Sequence, residues 1–317
     1  MSRSSSRGGP KTLIICACDQ PYFPIVKGLI LSLLDPGPLP DHIGLAFIDV
    51  GCTRPSLEWM EGQGIRIGKL DPAVMGDLAS AKLGYQRAQT CRPFLPKLFP
   101  DAETLIWIDS DTWVQDRSVF TYLGDAVPEY RQHLFIAPEY HYSYTYVHDD
   151  VKGRREEMFS YYEPLFGGET ALLLSTLPTL NSGLFAMDAG NAIWTLWEEE
   201  IKRIFLGEST PREIVVRHMA DQIALNVVAR RVNKLMLLDP LYNYVCLWTP
   251  PVRDAQGIVR VALPPHVPVG IIHLAGGWKH YGERYLRERL LYRDGEYLTP
   301  EERIELQTPN SQSLDFR

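Results

Sequence analysis

The chain of 317 residues is short of cysteine, shows no surplus of positive charge and contains no long apolar run. Its five cysteines are an odd number and show no CxxC spacing, so no disulfide pattern is encoded and a reducing cytoplasm is the expected location. Cys16 and Cys18 stand two apart in an apolar run. On a strand they would share one face, and they read as small buried hydrophobes in preference to a metal or redox pair. Lysine and arginine total 32 against 39 acidic residues, a net charge of −7. Nucleic acid is therefore not expected as a partner, although a few side chains and backbone N–H groups still suffice to hold a small anion. No stretch is long enough to span a bilayer, and residues 1–10 form a Ser/Arg/Gly tail, read as disordered, without a signal-peptide pattern behind it. At most, peripheral membrane contact is expected. No internal repeat and no clear linker interrupt the chain.

Ordinary hydrophobic content, 45%, leaves room for a large core. Residues 11–18 (KTLIICAC) predict a buried strand closed by Asp19-Gln20-Pro21, and 24–34 a helix stopped by Asp35-Pro36-Gly37-Pro38. Strands over 44–50 and 65–70 enclose a short helix at 56–60. This alternation predicts an α/β layer with a mixed, mostly parallel sheet. A helix over 87–98 has to accommodate Pro93 and Pro96. The next strand, 104–108 (TLIWI), ends on Asp109-Ser110-Asp111, and ligands of open α/β sheets gather at carboxyl ends of strands.

Residues 138–166 change character. Tyr140, His141, Tyr142, Tyr144, Tyr146, Tyr161 and Tyr162 crowd around a charged stretch. Sugar stacking and a packed aromatic edge both fit them. The length and irregularity point to a functional or mobile region. Further on, 181–188 predicts a strand, 191–205 and 219–230 helices, and 234–238 and 269–273 the last strands. A closing helix after Tyr281 is basic and aromatic, but Glu283, Glu288 and Asp294 offset its charge, so it reads as a packed element.

Two carboxylates at i and i+2 behind a buried strand converge on one cation if the chain turns between them, and hard oxygen ligands favour Mn²⁺ or Mg²⁺. A second strand ends on His273, followed by Gly276-Gly277 and Lys279. The imidazole suits the same metal shell, the glycine N–H groups suit phosphate oxygens, and the lysine suits the negative charge.

With these motifs in order, the chain resembles glycosyltransferase family 8, retaining enzymes of the GT-A fold, over roughly residues 13–279. Ala17-Cys18-Asp19, with Tyr22, resembles the first-strand loop that receives the base and ribose. Arg92 stands at a spacing similar to the family's donor-binding arginine, and Asp109-Ser110-Asp111 to its metal-binding DxD. Asn181-Ser182-Gly183 resembles the NxG strand beside the donor sugar, and Asp221-Gln222 the DQ pair beneath the anomeric carbon. His273, Gly276 and Lys279 match an HxxGxxK motif whose histidine is the third metal ligand. His280-Tyr281 stand where the family often has Pro-Trp, and Gln20 and Pro21 replace polar residues common near the base.

The resemblance implies a single Rossmann-like GT-A domain over 11–281, with a nucleotide-binding half (11–115), a donor-sugar and acceptor half (116–281), and a helical extension (282–317). It implies a metal-dependent, retaining hexosyltransferase that uses a nucleotide diphosphate sugar, UDP-linked by analogy, and a glycan, protein or small-molecule acceptor. Asp109, Asp111 and His273 would hold Mn²⁺ or Mg²⁺. Ala17, Asp19, Tyr22, Arg92, Ser110, Asn181, Ser182, Asp188, Gly276 and Lys279 would bind the donor. Gln222 would lie near the anomeric carbon, and Asp221 would hold a donor hydroxyl or act as nucleophile; front-face attack and double displacement both fit. A sugar-nucleotide or glycan-binding protein that has lost catalysis is the alternative on the same fold. A haloacid-dehalogenase-like phosphatase also places DxD behind a strand, but wants Thr or Val where Trp113 stands. A nucleotidyltransferase would carry a Gly-rich phosphate loop where Asp19-Gln20-Pro21-Tyr22 stands.

Overall fold

The structure, a computed structural model, describes residues 10–80, 84–144, 148, 150–206 and 219–275. Its first strand, β1 (Thr12–Cys18), is buried at all seven positions. A parallel strand buried on both faces needs helices above and below it, and the chain supplies them. β1 is followed by α1 (Phe23–Leu34), β2 (Ile43–Asp49), α2 (Arg54–Gly62) and β3 (Arg66–Lys69). Short helices α3 (Pro72–Met75), α4 (Gly84–Thr90) and α5 (Leu95–Leu98) lead to β4 (Thr104–Ile108), again fully buried. The helix expected over 87–98 is thus broken into α4, a 3-10 turn at Arg92–Phe94, and α5. Pro93 and Pro96 each sit in the first turn of a new piece, where the missing N–H costs nothing.

The second half runs β5 (Thr112–Val114), α6 (Ser118–Glu129), β6 (Leu134–Pro138), α7 (Val151–Phe166) and α8 (Gly168–Ser175). Then come β7 (Leu180–Asp188), α9 (Ile193–Leu206), α10 (Ala220–Val232) and β8 (Leu235–Leu237). The short strands β9 (Tyr244–Val245), β10 (Val252–Arg253), β11 (Val259–Arg260) and β12 (Ile271–His273) close the described part.

Seven strands form one sheet in the order β3-β2-β1-β4-β7-β6-β8. The first four are parallel, β7 is antiparallel to β4 and β6, and β8 is parallel to β6. The sheet is therefore mixed and mostly parallel, as the sequence predicts, and both segments of the chain contribute to it. One apolar layer gathers Ile15, Trp107, Phe185, Trp194, Trp197 and Ile223; the opposite layer holds Ile14, Phe47, Ile106, Phe120 and Leu184. A second sheet, β5-β12-β9, packs beside the sheet's active end.

Two expectations change. The irregular region over 138–166 contains a 16-residue helix, α7, capped at its start by the Asp150 side chain, which accepts from the Gly153 N–H at 2.8 Å. Polar and apolar residues are scattered around α7, so periodicity does not reveal it. The elements β5, α6, β6 and the β10–β11 hairpin stand where the sequence reading places none, although α6 buries one face (Val119, Phe120, Leu123) and β6 is an apolar run of the kind that marks a strand. The tail over 1–10, apart from Pro10, and the closing helix after Tyr281 lie outside the described residues. No helix among the described residues is long and apolar enough to cross a membrane. All five cysteines are free, with Cys16 and Cys18 buried.

Candidate active site

Parallel register places the ends of β1 and β4 side by side: Thr12 pairs with Thr104 and Ile15 with Trp107. Ala17 and Asp19 thus meet Asp109-Ser110-Asp111 at the carboxyl edge of the sheet. The Ser110 hydroxyl ties the two ends together by donating to the Ala17 carbonyl at 2.6 Å. β7 then brings Asn181 and Ser182 past the end of β4, since Ile108 pairs with Leu184 and the Asp109 N–H donates to the Gly183 carbonyl. Asn226 clamps α10 to β7 by exchanging hydrogen bonds with the Leu180 backbone, both at 2.8 Å, which sets Asp221 and Gln222 under Ser182. A cavity of about 320 Å³ opens at this edge, and Ala17, Asp19, Tyr22, Arg92, Asp109, Ser110, Asp111, Asn181, Ser182, Asp221, Gln222 and His273 all line it.

His273 arrives from the second sheet. β12 pairs with β5 so that His273 lies opposite Thr112, and the Leu274 N–H donates to the Asp111 carbonyl at 3.0 Å. Its Nε2 stands 3.5 Å from Asp111 Oδ1 and 3.8 Å from Asp109 Oδ2. One ligand atom from each of the three residues lies within 4.8 Å of the others. Two hard carboxylate oxygens and an imidazole in that space suit Mn²⁺ or Mg²⁺, with room for further ligands from a bound molecule. Asp109 is oriented for this: its Oδ1 accepts from Trp107 Nε1 at 2.7 Å and from Arg92, leaving Oδ2 on the His273 side.

Arg92 is the hub of the buried charges. It is held 4.8 Å above the Trp107 ring, donates to Asp109 and to Ser182 Oγ (2.7 Å), and makes an ion pair with Asp221. Burial works to lower its pKa, but the Asp109 and Asp221 carboxylates overcome that and push it up. Burial pushes the Asp221 carboxyl up, with Arg92 opposing. The Arg92 Nε, also buried, has no hydrogen-bond partner among the described residues. Gln222 is fixed from both ends: Oε1 accepts from the Ser182 N–H at 2.9 Å, and Nε2 donates to Glu139 at 3.3 Å.

Several lining residues have no place in the motif reading. Glu139, immediately beyond β6, accepts from Asn181 (2.7 Å) and Arg154 (3.0 Å) besides Gln222. Arg154, from α7, lies 4.7 Å above the Trp248 ring. Glu139 could have been found by the logic that singles out Asp109, a carboxylate directly after a buried strand. Arg154 could not, since α7 was unreadable.

Asp188 does not join the site. It pairs with Thr104 at the far end of β4 from Asp109, binds the Gly190 N–H at 2.9 Å, and approaches the exposed Arg131 at 3.7 Å. Antiparallel pairing forces this: Asn181 and Asp188 are seven residues apart on one strand, roughly 23 Å at about 3.3 Å per residue. Gly276 and Lys279 lie outside the described residues.

No protein-family profile matches the chain, and no curated protein matches it in sequence. Among solved structures it is similar to the bifunctional glycosyltransferase WbbM in its apo form, at 12% identity over 87% of this chain with a TM-score of 0.49. The chain spans about half of that protein, 47% of its length. It is also similar to the galactosyltransferase LgtC in complex with donor and acceptor sugar analogues, at 14% identity over 88% of this chain and 100% of that one, TM-score 0.49. Mouse xyloside xylosyltransferase 1 in its apo form shows 15% identity over 84% of this chain and 97% of that one, with a TM-score of 0.47.

Proposed function

We propose that the chain is a metal-dependent glycosyltransferase of the GT-A type. In this reading it moves a hexose from a nucleotide diphosphate sugar, UDP-linked by the sequence resemblance, to a hydroxyl acceptor with retention of configuration. One observation carries the reading. Motifs scattered over more than 250 residues of sequence, from Ala17 to His273, converge on one cavity whose floor is an Asp-Asp-His cluster.

Asp109, Asp111 and His273 would hold a divalent ion, Mn²⁺ or Mg²⁺. When bound, such an ion supplies Lewis-acid stabilisation of the charge that develops on a leaving diphosphate. Ala17, Asp19 and Tyr22 form the wall suited to base and ribose, beside the Ser110 tie. Arg92 lines the cavity and carries a fixed positive charge, suited to an anionic or hydroxyl-rich donor. Lys279 and Gly276 would add to the diphosphate side. Asn181 and Ser182 face the donor sugar, and Gln222, immobilised by Ser182 and Glu139, presents its amide near the anomeric carbon without a free rotor. Asp221 is 2% exposed and bonded to Arg92 and Ser182, so we read it as the counter-ion that fixes Arg92 and not as a nucleophile. Asp109 is likewise engaged through Oδ1, which disfavours the phosphatase reading in which it would attack. Five unpaired thiols suit a reducing, cytoplasmic setting.

Thermal melting with a panel of nucleotide sugars, with and without Mn²⁺, tests this on wild type and Asp111→Ala. A donor at 100 times its Kd adds about 2.7 kcal/mol, several degrees of Tm. A metal-dependent shift that the variant loses is expected. Stabilisation by Mg²⁺ with a phosphate mimic, and by no nucleotide sugar, would overturn the reading. Transfer or slow hydrolysis of the donor then separates an enzyme from a binding protein.

A further inference from the structure

We propose that Asn243 is a positioning residue that fixes the tautomer and orientation of His273, so that its Nε2 lone pair faces Asp109 and Asp111. The inference rests on the metal-site reading and goes beyond it, because nothing in the sequence motifs points to Asn243.

The argument starts from a group whose role is not adjustable. The Gly183 backbone N–H can only donate, and it lies 2.8 Å from Asn181 Oδ1, so that atom is the carbonyl oxygen. The same oxygen lies 2.9 Å from the Asn243 amide, which must therefore present its NH₂ there. Asn243 Oδ1 is then the atom 2.8 Å from His273 Nδ1, and as an acceptor it requires a proton on that nitrogen. A neutral imidazole protonated at Nδ1 carries its lone pair on Nε2, the nitrogen 3.5 Å from Asp111 and 3.8 Å from Asp109.

The relay is built to be rigid. Asn243 is 2% exposed, at the end of a short 3-10 turn (Pro240–Asn243) whose first residues are capped by Asp239. It leads directly into β9, where Val245 lies opposite His273 across the ladder. Backbone and side chain thus hold Asn243 and His273 in one register. The far end is anchored too, since Asn181 Nδ2 donates to Glu139 at 2.7 Å. With both amides committed, neither can flip without breaking two bonds, and the Asn243 oxygen holds a proton on Nδ1. Partners of a ligating histidine commonly tune metal affinity in this way.

The test uses the full chain and Mn²⁺ alone. Free Mn²⁺ is followed by its electron paramagnetic resonance signal during titration of wild type, Asn243→Leu, Asn243→Asp and Asp111→Ala. Leucine keeps the branching of the side chain but removes the acceptor, and affinity is expected to fall about 10–100-fold. Aspartate keeps an acceptor for Nδ1–H but loses the NH₂ bonded to Asn181, so affinity is expected to fall clearly less than in the leucine variant. Equal loss in both variants, or loss in neither, overturns the proposal. Should Asn243→Leu not fold, ¹⁵N NMR of histidine-labelled wild-type protein decides, with His273 identified by the signal missing from His273→Gln. Protonation at Nδ1, with or without a second proton on Nε2, supports the relay, and a ring protonated at Nε2 alone sinks it. If wild type binds no Mn²⁺ while the Nδ1–H tautomer is seen, the metal reading fails and the relay stands.

Discussion

A Cβ added to Gly183 would stand 2.4 Å from His273 Cε1 and 2.8 Å from its Nδ1. The imidazole packs against the strand at Gly183, the one glycine of β7. Both neighbours are fixed, the glycine by β7 and the ring by Asn243, so a methyl group there has nowhere to go. Gly183→Ala is expected to push the ring off the carboxylates and weaken Mn²⁺ binding at least about tenfold. Overpacking should cost about 1–3 kcal/mol of stability in the same variant. Urea unfolding and Mn²⁺ titration check the two effects. An alanine variant with wild-type metal affinity would show that the ring is free to move.

Arg92 joins Asp109 and Asp221 through separate nitrogens, Nη2 and Nη1, while Nη1 also reaches Ser182. The planar fork spans two carboxylates, which a single ammonium cannot match. Arg92→Met is expected to destabilise the metal-free protein by about 3–5 kcal/mol, because the buried Asp221 and the half-buried Asp109 lose their counter-ion. Arg92→Met combined with Asp221→Asn should recover part of that loss, since one stranded charge is gone. Denaturant melts of the three proteins without metal are the measurement. A single variant as stable as wild type would mean that water already screens these charges.

The cysteines differ sharply in what their surroundings allow. Burial pushes the Cys91 thiol up to about 12, and Cys16, Cys18 and Cys246 are driven up further by the same cause. At pH 8 a thiol of that pKa is thiolate in about one molecule in 10⁴, and the thiolate is the reactive form. Cys52 is the half-buried one of the five, with its sulfur 4.0 Å from Cys18. Iodoacetamide at pH 8 is expected to label Cys52 first and to leave the others unmodified until the protein unfolds. Mass spectrometry of a labelling time course reads this directly. Early modification of Cys91 would show that the core around α4 opens readily.

What the sequence reveals follows from how local each signal is. β4 is readable because four consecutive apolar residues, Leu105 to Ile108, stop on a carboxylate, and β1 for the same reason. The convergence of Asp111 with His273 is not local, as it depends on β5 pairing with β12 across more than 150 residues of chain. Only the order of motifs hinted at it. Asn243 and Arg154 cannot be read as site residues from the sequence, since each is an ordinary polar residue until the fold brings it to Asn181 or Trp248. Asp188 shows the opposite error. The mechanism that the resemblance implies makes it a candidate for holding a donor hydroxyl with Asn181, although strand geometry alone separates the two.

Trp107 supplies a second donor to Asp109 Oδ1, at 2.7 Å, while its ring stacks at 6.5 Å on Phe185 and lies under Arg92. Trp107→Phe keeps most of the stacking and removes the N–H. Metal affinity is expected to drop by about three- to tenfold, less than for a lost ligand, because Arg92 still orients the carboxylate. Asp111→Ala, measured beside it, should abolish detectable binding. If Trp107→Phe matched Asp111→Ala, the indole would have to be holding Asp109 alone, against the shared geometry seen here.

The register of β4 against β7 makes the most decisive contrast. Asp188 stands opposite Thr104, and Asn181 beyond the other end of the strand pair, so one substitution at each end should separate their roles. Asp188→Asn keeps an oxygen for the Gly190 N–H and loses only a long pair to Arg131, which is 68% exposed. Such a pair contributes about 0–1 kcal/mol, and nucleotide-sugar and Mn²⁺ binding should remain within about twofold of wild type. Asp221→Asn sits on α10 beneath Ser182 and loosens Arg92, so it should weaken donor binding by an order of magnitude or more at similar overall fold. Calorimetric titration of both variants with the donor that stabilises wild type provides the comparison. Loss of donor binding in Asp188→Asn would place the sugar at the other end of the sheet and overturn the cavity as the site, whereas loss confined to Asp221→Asn ties the donor to the end where Arg92, Ser182 and the metal cluster meet.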